Sequence, residues 1–461
     1  MTRSLHAADA LLPGGWARNV SIAWDDHGRL VAVDADAAPL PGADRARGPL
    51  LPGMPNLHSH AFQRGIAGLT EYRGQAQDSF WSWRTLMYRF ALRLDPAQLE
   101  AIALWLYVEM LEAGYTSVCE FHYVHHDADG RPYADDATLA LALLRAAEKA
   151  GIGLTLLPVL YQSGGFGGLP PGDGQRRFIR STDSMLALLD RLKPLCEAQG
   201  GRLGLAPHSL RAVPPDSLRA ALAGLQALDA TAPVHIHIAE QTQEVDDCLA
   251  WSGRRPVAWL LDHVPVDARW CLVHATHMDA DEYRRAAASG AVAGLCPTTE
   301  ANLGDGIFDL PGWRSAGGAW GVGSDSHVCV NAAEELLLLE YSQRLARRER
   351  NVAADVSQPQ VATAMTLAAV QGGAQAAGRP VAGLAVGQQA DFVVLDADHT
   401  ALAGLPVPDM LASHVFASQR TSAIDAVWVA GQPRAQGGRH PLHHSAAAGF
   451  VAARRQLLNT P

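Results

Sequence analysis

Lysine, long apolar runs and clustered positive charge are all scarce in this 461-residue sequence. No stretch approaches the roughly eighteen unbroken apolar residues of a membrane-spanning helix, and the N-terminal MTRSLHAADALLPGGW lacks the apolar core of an export signal. Lysine occurs only at Lys149 and Lys193, the remaining cations are arginines that form no run, and the net charge is −10. Nucleic acids and anionic membranes attract clustered positive charge, so neither is an expected partner.

Cysteine is also sparse, and its spacing excludes several kinds of site. The six cysteines stand alone, without a C-x-x-C pair, in segments that read as strands or helices. We interpret them as reduced core thiols of a cytoplasmic protein. The sequence also lacks a G-x-S-x-G motif, which disfavours covalent acyl transfer.

What the sequence has is a regular alternation of short apolar strands and amphipathic helices. With 48% apolar and 18% charged residues, the chain can bury a large core. Strands are predicted at 50–60, 117–124, 153–161, 202–210, 233–240, 270–277, 291–299 and 319–327. Helices are predicted at 96–113, 136–150, 182–199, 215–229, 254–262, 279–289, 333–349 and 356–377. Eight strands with crossovers predict an α/β fold, a (β/α)₈ TIM-like barrel, rather than an open doubly wound sheet.

The two chain ends have a different pattern. Short β-like segments separated by Gly, Pro and Asp occupy the first fifty residues, and β patterns return at 386–398 and 424–434. We therefore predict a small flanking β-sandwich domain built from residues 1–50 and 380–461, beside a barrel of residues 51–379. Three histidines near the C-terminus, His440, His443 and His444, are interpreted as tail residues.

Polar residues at the predicted strand ends form the candidate active site, because a barrel enzyme places its site there. The first strand ends in His58 and His60, which are two apart and point to one face. In a sequence with 19 histidines such a pair also arises by chance, so the spacing alone is weak evidence of a metal site. It gains weight because strand five contains HIHIAE, strand six ends in VHATH and strand eight ends in GSDSH. Three imidazoles and one carboxylate would hold Zn²⁺ or Fe²⁺ as a Lewis acid.

The strings PGMPNLHSHAF, HIHIAEQ, LVHATH and GVGSDSH resemble the metal-site motifs of the amidohydrolase superfamily, and ADFVVLD resembles its flanking β domain. The sequence has no lysine on its predicted fourth strand, and in this respect it resembles the mononuclear deaminase branch of the superfamily. The resemblance implies one divalent metal per subunit, zinc before iron, held by His58, His60, His237 and Asp325. It also implies Glu240 as the acid/base and His274 as the histidine that contacts the nucleophile or the leaving nitrogen. The same resemblance implies that Asp325 helps to activate the nucleophile.

Two neighbouring histidines compete for the strand-five ligand position. His235 lies two residues before His237, but only His237 has a glutamate three residues later, as the family motif requires. We therefore interpret His235 as a core or second-layer residue. The histidines at 122, 125, 126, 277 and 327 are expected to line or flank the site without binding metal.

Longer strings, NLHSHAFQRGIAGLTEYR, SFWSWRTLMY and APHSLRAV, resemble the branch of this superfamily that degrades formimidoyl compounds in bacterial histidine catabolism. The resemblance implies hydrolysis of N-formimidoyl-L-glutamate to N-formyl-L-glutamate and ammonia. This substrate is a small dianion, and arginine offers the paired donors that a carboxylate accepts. Arg84 and Arg211 are best placed for that role, and the resemblance adds Gln63, Tyr123 and His208 as polar contacts. It also suggests a homodimer.

Alternatives remain open at this stage. The same mononuclear metal site would serve a deaminase or chlorohydrolase of a purine, pyrimidine or triazine ring, and a barrel without catalysis would serve as a binding protein. Trp81 and Trp83, in the insertion after strand one, fit a lid wall and a subunit interface equally well. The glycine-rich loop at 164–172 lacks the Lys-Ser/Thr of a phosphate cradle, so a mobile active-site loop is expected, with a plain surface loop as the alternative.

Overall fold

A computed structural model describes residues 3–71, 80–418 and 421–459, and the structural statements below refer to these residues. The strands are β1 (Arg3–Leu12), β2 (Gly15–Trp24), β3 (Leu30–Asp34), β4 (Asp44–Arg45), β5 (Leu50–Pro52), β6 (Met54–Ser59), β7 (Tyr115–His122), β8 (Gly153–Leu160), β9 (Arg202–Leu203), β10 (Ala206–Pro207), β11 (Val234–Ile238), β12 (Trp270–His274), β13 (Val292–Leu295), β14 (Ala319–Val322), β15 (Phe392–Leu395), β16 (Ile424–Val429) and β17 (Gln432–Gln436).

The helices are α1 (Phe80–Ala91), α2 (Pro96–Glu112), α3 (Thr138–Ala150), α4 (Thr182–Ala198), α5 (Pro215–Leu228), α6 (Thr242–Ser252), α7 (Pro256–His263), α8 (Ala280–Ser289), α9 (Pro297–Leu303), α10 (Leu310–Ser315), α11 (Ala332–Arg347), α12 (Val361–Ala377), α13 (Val407–Phe416) and α14 (His443–Asn459). Two short 3₁₀ helices span Ala61–Ile66 and Asp173–Gln175. None of the described helices is long and apolar enough to span a bilayer.

Parallel strands form the centre of the molecule. One sheet has the order β10-β8-β7-β6, with β9 also on β8, and a second has the order β11-β12-β13-β14. Single parallel bridges join the two sheets on both sides, from Leu205 to Val234 and from Ser59 to Asp325. This is a TIM-barrel-like α/β arrangement, and the predicted α/β class is confirmed.

Continuous burial explains why these strands do not alternate in polarity. Every residue of β7 (YTSVCEFH) and β8 (GLTLLPVL) is buried, as expected for parallel strands that are covered on both faces. Helix α3 follows β7 and presents an apolar face to this core, then ends at Gly151, whose φ of 73° suits a glycine.

Both ends of the chain enter one mixed sheet of order β17-β16-β15-β5-β1-β2-β3, with β4 beside β1. Trp24, Phe392 and Trp428 pack together in its core, with ring centroids 5.4–5.7 Å apart. The predicted pairing of N- and C-terminal segments is thus present in the structure. The two-layer sandwich and the domain boundaries at residues 50 and 380 stay predictions.

The structure corrects the predicted first strand. Residues 50–60 divide into β5, which pairs with β15 and β1 in the mixed sheet, and β6, which belongs to the parallel sheet. The chain changes sheet at Gly53, where a Cβ atom would lie 2.3 Å from the side chain of Thr116. An apolar run cannot reveal such a change, because both halves are buried.

Two further expectations about the chain are wrong. The predicted strand at 291–299 ends early, because Pro297 begins helix α9, a position where proline needs no N–H partner. The C-terminal histidines are not in a tail. His440 is buried, with its Nε2 3.0 Å from the carbonyl oxygen of Ala150, and His443 begins α14 and contacts Glu112.

Candidate active site and metal centre

Three imidazoles and one carboxylate converge at the ends of β6, β11 and β14. The Nε2 atom of His58 lies 3.2 Å from that of His60 and 3.0 Å from that of His237. Asp325 Oδ1 lies 3.4 Å from His58 Nε2 and 3.3 Å from His60 Nε2. All four side chains are buried. Ligand atoms on one tetrahedral ion, each about 2.0–2.1 Å from it, are about 3.3 Å apart, so this set fits one divalent metal.

The protonation of the imidazoles also suits metal binding. Burial lowers the pKa of His58 to about 3 and lowers the pKa values of His60 and His237, so the rings are neutral. The Nδ1 atom of His60 lies 2.9 Å from the carbonyl oxygen of Phe121. It must donate a proton there, which leaves the lone pair on Nε2 directed at the other ligands. Burial opposes the charge of Asp325, yet the neighbouring histidines hold its pKa below the usual range.

Backbone strain is concentrated at the strand ends that carry this set. Five non-glycine residues there have φ between 44° and 66°: Ala239, His274, Ala275, Asp325 and His327. Such conformations cost on the order of 1–3 kcal/mol each and persist where the surrounding structure imposes them. The strand ends are thus bent to aim their side chains at a common point.

Glu240, His274 and Glu300 form a second cluster beside the ligand set. His274 Nδ1 lies 3.3 Å from Glu300, and its Nε2 lies 3.7 Å from Glu240 and 3.8 Å from Asp325. Burial opposes protonation of His274, but these carboxylates outweigh it and raise its pKa to about 10. Burial also raises the pKa of Glu240 to about 7, which keeps this carboxyl near the point where it can both accept and give a proton.

A cavity opens over these groups. It contains all five predicted substrate contacts, Gln63, Arg84, Tyr123, His208 and Arg211, beside His60, His237, Glu240, His274 and Asp325.

The polar contacts of the cavity are arranged for binding. Gln63 donates from Nε2 to the Tyr123 hydroxyl at 2.8 Å, and its buried Oε1 accepts no hydrogen bond from the described residues. Arg211 lies 3.8 Å from Glu244, while the Arg84 guanidinium lies 5.5 Å from the centre of the Tyr88 ring. Two cations therefore face a cavity that also contains a free amide acceptor.

Hydrogen bonds beneath the cavity hold the His58–His60 segment in place. Glu120 accepts from Ser59 Oγ at 2.6 Å and from the backbone N–H of Ala61 at 2.7 Å. His327 Nε2 lies 3.2 Å from the backbone N of His60, on the other side of the same turn. The segment is thus fixed from two neighbouring strands.

The remaining predicted histidines lie around the site. His125, His126 and His277 each contact a backbone carbonyl, those of Val159, Ile179 and Asp305, at 2.8–2.9 Å. His122 is buried at the end of β7. None of them is in the ligand set. His235 is buried, with its Nε2 2.8 Å from the carbonyl oxygen of Ala376, so it lies in the core, away from the ligand atoms.

The structure describes part of the insertion that contains Trp81 and Trp83, and it describes the glycine-rich loop at 164–172. Trp83 lines the cavity, which fits the lid-wall alternative, whereas the side chain of Trp81 lies outside the described residues. In the loop, Phe166 stacks on Trp251 of α6 with ring centroids 5.3 Å apart. Whether this loop moves stays a prediction.

Several groups at the site had no role predicted from the sequence: Tyr88, Glu120, Tyr161, Gln175, Glu300 and Asp305. Glu120 and Tyr161 lie at the ends of the second and third parallel strands, so the rule that located the histidines would also have found them. The other four reach the site from α1, α9 and the loops after β8 and α9, and no local pattern marks them.

The geometry agrees with comparisons with known proteins. Residues 50–434 match the model of the amidohydrolase family. The chain belongs to the amidohydrolase family. Its first part, residues 2–47, matches the model described as formimidoylglutamate deiminase HutF, N-terminal domain. The resemblance inferred from the sequence motifs is confirmed.

Individual proteins are also similar to this chain over most of their length. The formimidoylglutamate deiminase of Pseudomonas aeruginosa is 54% identical over 99% of this chain and all of its own length. The 8-oxoguanine deaminase of the same organism is 28% identical, covering 82% of this chain and 84% of its own. A crystal structure of an amidohydrolase from Brucella melitensis has a TM-score of 0.94 and 49% identity, covering 99% of this chain and all of its own.

Proposed function

We propose that the protein hydrolyses N-formimidoyl-L-glutamate to N-formyl-L-glutamate and ammonia, a step of histidine degradation. The observation that carries this proposal is the 54% identity, over 99% of the chain, to a formimidoylglutamate deiminase. The cavity supports it, because Arg84 and Arg211 can bind the two carboxylates of the substrate. These arginines oppose locally the field of a chain whose net charge is −10.

The metal site we propose comprises His58, His60, His237 and Asp325. Members of this family use a divalent metal, and the separations of 3.0–3.4 Å between ligand atoms fit one ion. Zn²⁺ is our first choice and Fe²⁺ the second, because imidazole and carboxylate suit both. Such an ion, when bound, acts as a Lewis acid and lowers the pKa of water to near 7.

The protein side chains then move protons and orient the reactants. Glu240 accepts a proton from the attacking water as its oxygen bonds to the amidine carbon, and gives that proton to the imino nitrogen, which becomes NH₂. Glu240 then carries the proton of the new hydroxyl to this nitrogen as the C–N bond breaks and the C=O bond forms. His274, charged between Glu240, Glu300 and Asp325, helps to orient the water. Gln63, Tyr123 and His208 complete the polar contacts to the substrate. Ammonia leaves, and the formyl carbonyl remains.

The proposal also covers the architecture, the oligomeric state and the location of the protein. We propose that the eight parallel strand positions form one (β/α)₈ barrel of residues 51–379, flanked by a β domain of residues 1–50 and 380–461. A homodimer and a cytoplasmic location follow from the proposed family role. Each of these points is open to direct measurement.

Substrate comparison tests the proposed function. The purified protein, loaded with Zn²⁺ or Fe²⁺, should release ammonia and N-formyl-L-glutamate in equal amounts from N-formimidoyl-L-glutamate, and no ammonia from guanine, cytosine or adenosine. Arg211→Ala should raise KM for the amidine more than it lowers kcat. Ammonia from one of the ring compounds, with none from the amidine, would replace our proposal with a nucleobase or nucleoside deaminase.

A further inference from the structure

A buried glutamine beside the cavity has an amide whose orientation is fixed by its surroundings. Gln175 ends the 3₁₀ helix that follows β8, and its side chain is buried. Its Oε1 accepts a hydrogen bond of 2.7 Å from the backbone N–H of Gly172. A backbone N–H can only donate, so the oxygen of the amide must be on this side and the NH₂ group on the other.

The NH₂ group of Gln175 donates to two tyrosines of the cavity wall. Its Nε2 lies 2.5 Å from the Tyr161 hydroxyl and 3.4 Å from the Tyr88 hydroxyl. Each phenolic oxygen therefore accepts from Gln175, and each retains its own hydrogen as a donor. Burial raises the pKa of Tyr161 far above its usual value, so its hydroxyl stays protonated.

Among the described residues, these two hydroxyl hydrogens have few acceptors. The Tyr88 and Tyr161 oxygens are close enough to share one of them. For the other, the hydrogen bonds of the described residues supply no acceptor, since in them the two hydroxyl oxygens only accept, from Gln175. Both rings line the cavity, so at least one hydroxyl is left to donate to a bound molecule.

The same wall of the cavity carries the two arginines. Arg84 lies over the Tyr88 ring, and the positive charges of Arg84 and Arg211 both act on Tyr161. A group bound there meets guanidinium and hydroxyl donors together. A carboxylate, which only accepts hydrogen bonds, satisfies these donors, whereas an amide presents N–H groups of its own to them.

Close packing holds the glutamine loop against the helix that carries Arg84. Gly174 lies against Tyr88 of α1, where an added Cβ would be 2.9 Å from the ring atom Cδ2. Phe178 fills the space between the tyrosines, with its ring 5.6 Å from Tyr88 and 5.9 Å from Tyr161. The loop after β8 and helix α1 therefore form one wall.

We propose that Gln175 is a positioning residue for substrate specificity, which orients the hydroxyls of Tyr88 and Tyr161 so that this wall accepts a carboxylate and disfavours an amide. The inference rests on the proposed function, because it assigns the wall to one carboxylate of the dianionic substrate. It concerns three residues to which the sequence motifs assign no role.

Gln175→Glu tests the inference most sharply. One oxygen of the new carboxylate can still accept from Gly172, but the other accepts a hydrogen bond from a tyrosine and so turns that hydroxyl away from the cavity. We expect KM for N-formimidoyl-L-glutamate to rise at least about tenfold, with a smaller change in kcat. The side-chain amide analogue, N-formimidoyl-L-glutamine, should lose less, so the preference for carboxylate over amide should fall.

Gln175→Leu and Gln162→Leu complete the experiment. Gln175→Leu removes the donor without adding charge and should shift the same preference by a smaller factor. Gln162 follows Tyr161 in sequence, donates to the Arg180 carbonyl and Thr182, and is not in the cavity wall, so Gln162→Leu should leave the preference unchanged. Melting temperatures show whether each variant folds. If Gln175→Glu does not fold, Gln175→Leu carries the test.

The outcomes separate this inference from the proposed function. A wild-type protein inactive on the amidine would refute the proposed function and this inference with it. An active wild type, with equal losses on both substrates or losses in kcat alone for the Gln175 variants, would refute this inference and leave the proposed function intact.

Discussion

The environment of Glu240 decides what this residue can do. It lies beside His274, which is held in its charged form, and it also feels Arg211 and the carboxylates of Asp325 and Glu244. Burial dominates and raises the pKa of Glu240 to about 7, against a usual value of 4.5. A carboxyl in this state accepts a proton more readily than an exposed glutamate and still returns it.

A pH profile should show this shift. The ionised form of Glu240 accepts the proton of water, so kcat/KM should fall as the pH drops below about 7, well above the range of an ordinary carboxyl. Glu240→Gln should retain its metal, because Glu240 is outside the ligand set, and lose about 10²- to 10⁴-fold in kcat. Metal analysis and steady-state rates check both points, and full activity of Glu240→Gln would exclude the proton-transfer role.

At the residue scale, most of the side chains that the structure brings together were already candidates from the sequence, while their roles stay predictions. The parallel strands end at one face, so His58, His237, His274 and Asp325 could be expected to meet. Gln175 and Glu300 could not be predicted, because their positions depend on how a loop and a short helix fold back over the strand ends. Such contacts depend on tertiary packing, which the spacing of residues along the sequence does not predict.

The packing of helix α12 depends on a single missing atom, the Cβ that Gly372 lacks. It packs on β14 and β6, and at Gly372 a Cβ atom would lie 1.9 Å from the carbonyl oxygen of Trp320. That oxygen belongs to a buried strand and cannot move aside cheaply. Gly372 is thus required by close approach, not by a turn.

Paired glycine substitutions test this packing. Gly372→Ala should lower the free energy of unfolding by about 1–3 kcal/mol or more, since the clash outweighs the better helix propensity of alanine. Among the described residues, only Ala101 Cβ comes within 4.0 Å of a Cβ added at Gly449, inside α14, so Gly449→Ala should be neutral or stabilising by about 0.5–1 kcal/mol. Denaturant unfolding measures both. Equal effects would show that α12 can shift away from β14.

Element positions were predicted better than element partners. The helices α2, α3, α4, α5 and α8 begin within two residues of their predicted starts. Hydrophobic periodicity reports which face is buried, and it gives these helices directly. It does not report what covers that face, which is why β5 and β6 were predicted as one strand and the C-terminal helix α14 was missed.

At the scale of the whole molecule, the proposed metal should contribute to stability. An ion that binds only the folded chain stabilises it by about 4 kcal/mol at a free concentration a thousand times its dissociation constant. Removing it with a chelator should therefore lower the melting temperature and abolish activity, and adding Zn²⁺ should restore both.

Two histidines of β11 provide matched variants for that experiment. His237→Asn removes a proposed ligand, so its melting temperature should respond little to chelator. His235→Asn, two residues earlier, breaks only the contact with Ala376 and should keep the chelator response. The opposite pattern would assign the ligand role to His235.

The mixed sheet has a consequence for how the chain is made. Strand β5, at Leu50–Pro52, pairs with β15, at Phe392–Leu395, so some 340 residues separate the two partners. At about 5–20 residues per second, the ribosome needs roughly 20–70 s to synthesise the distance between them. During that time β5 has one edge without its final neighbour, and the nascent chain must keep that edge from pairing with another copy.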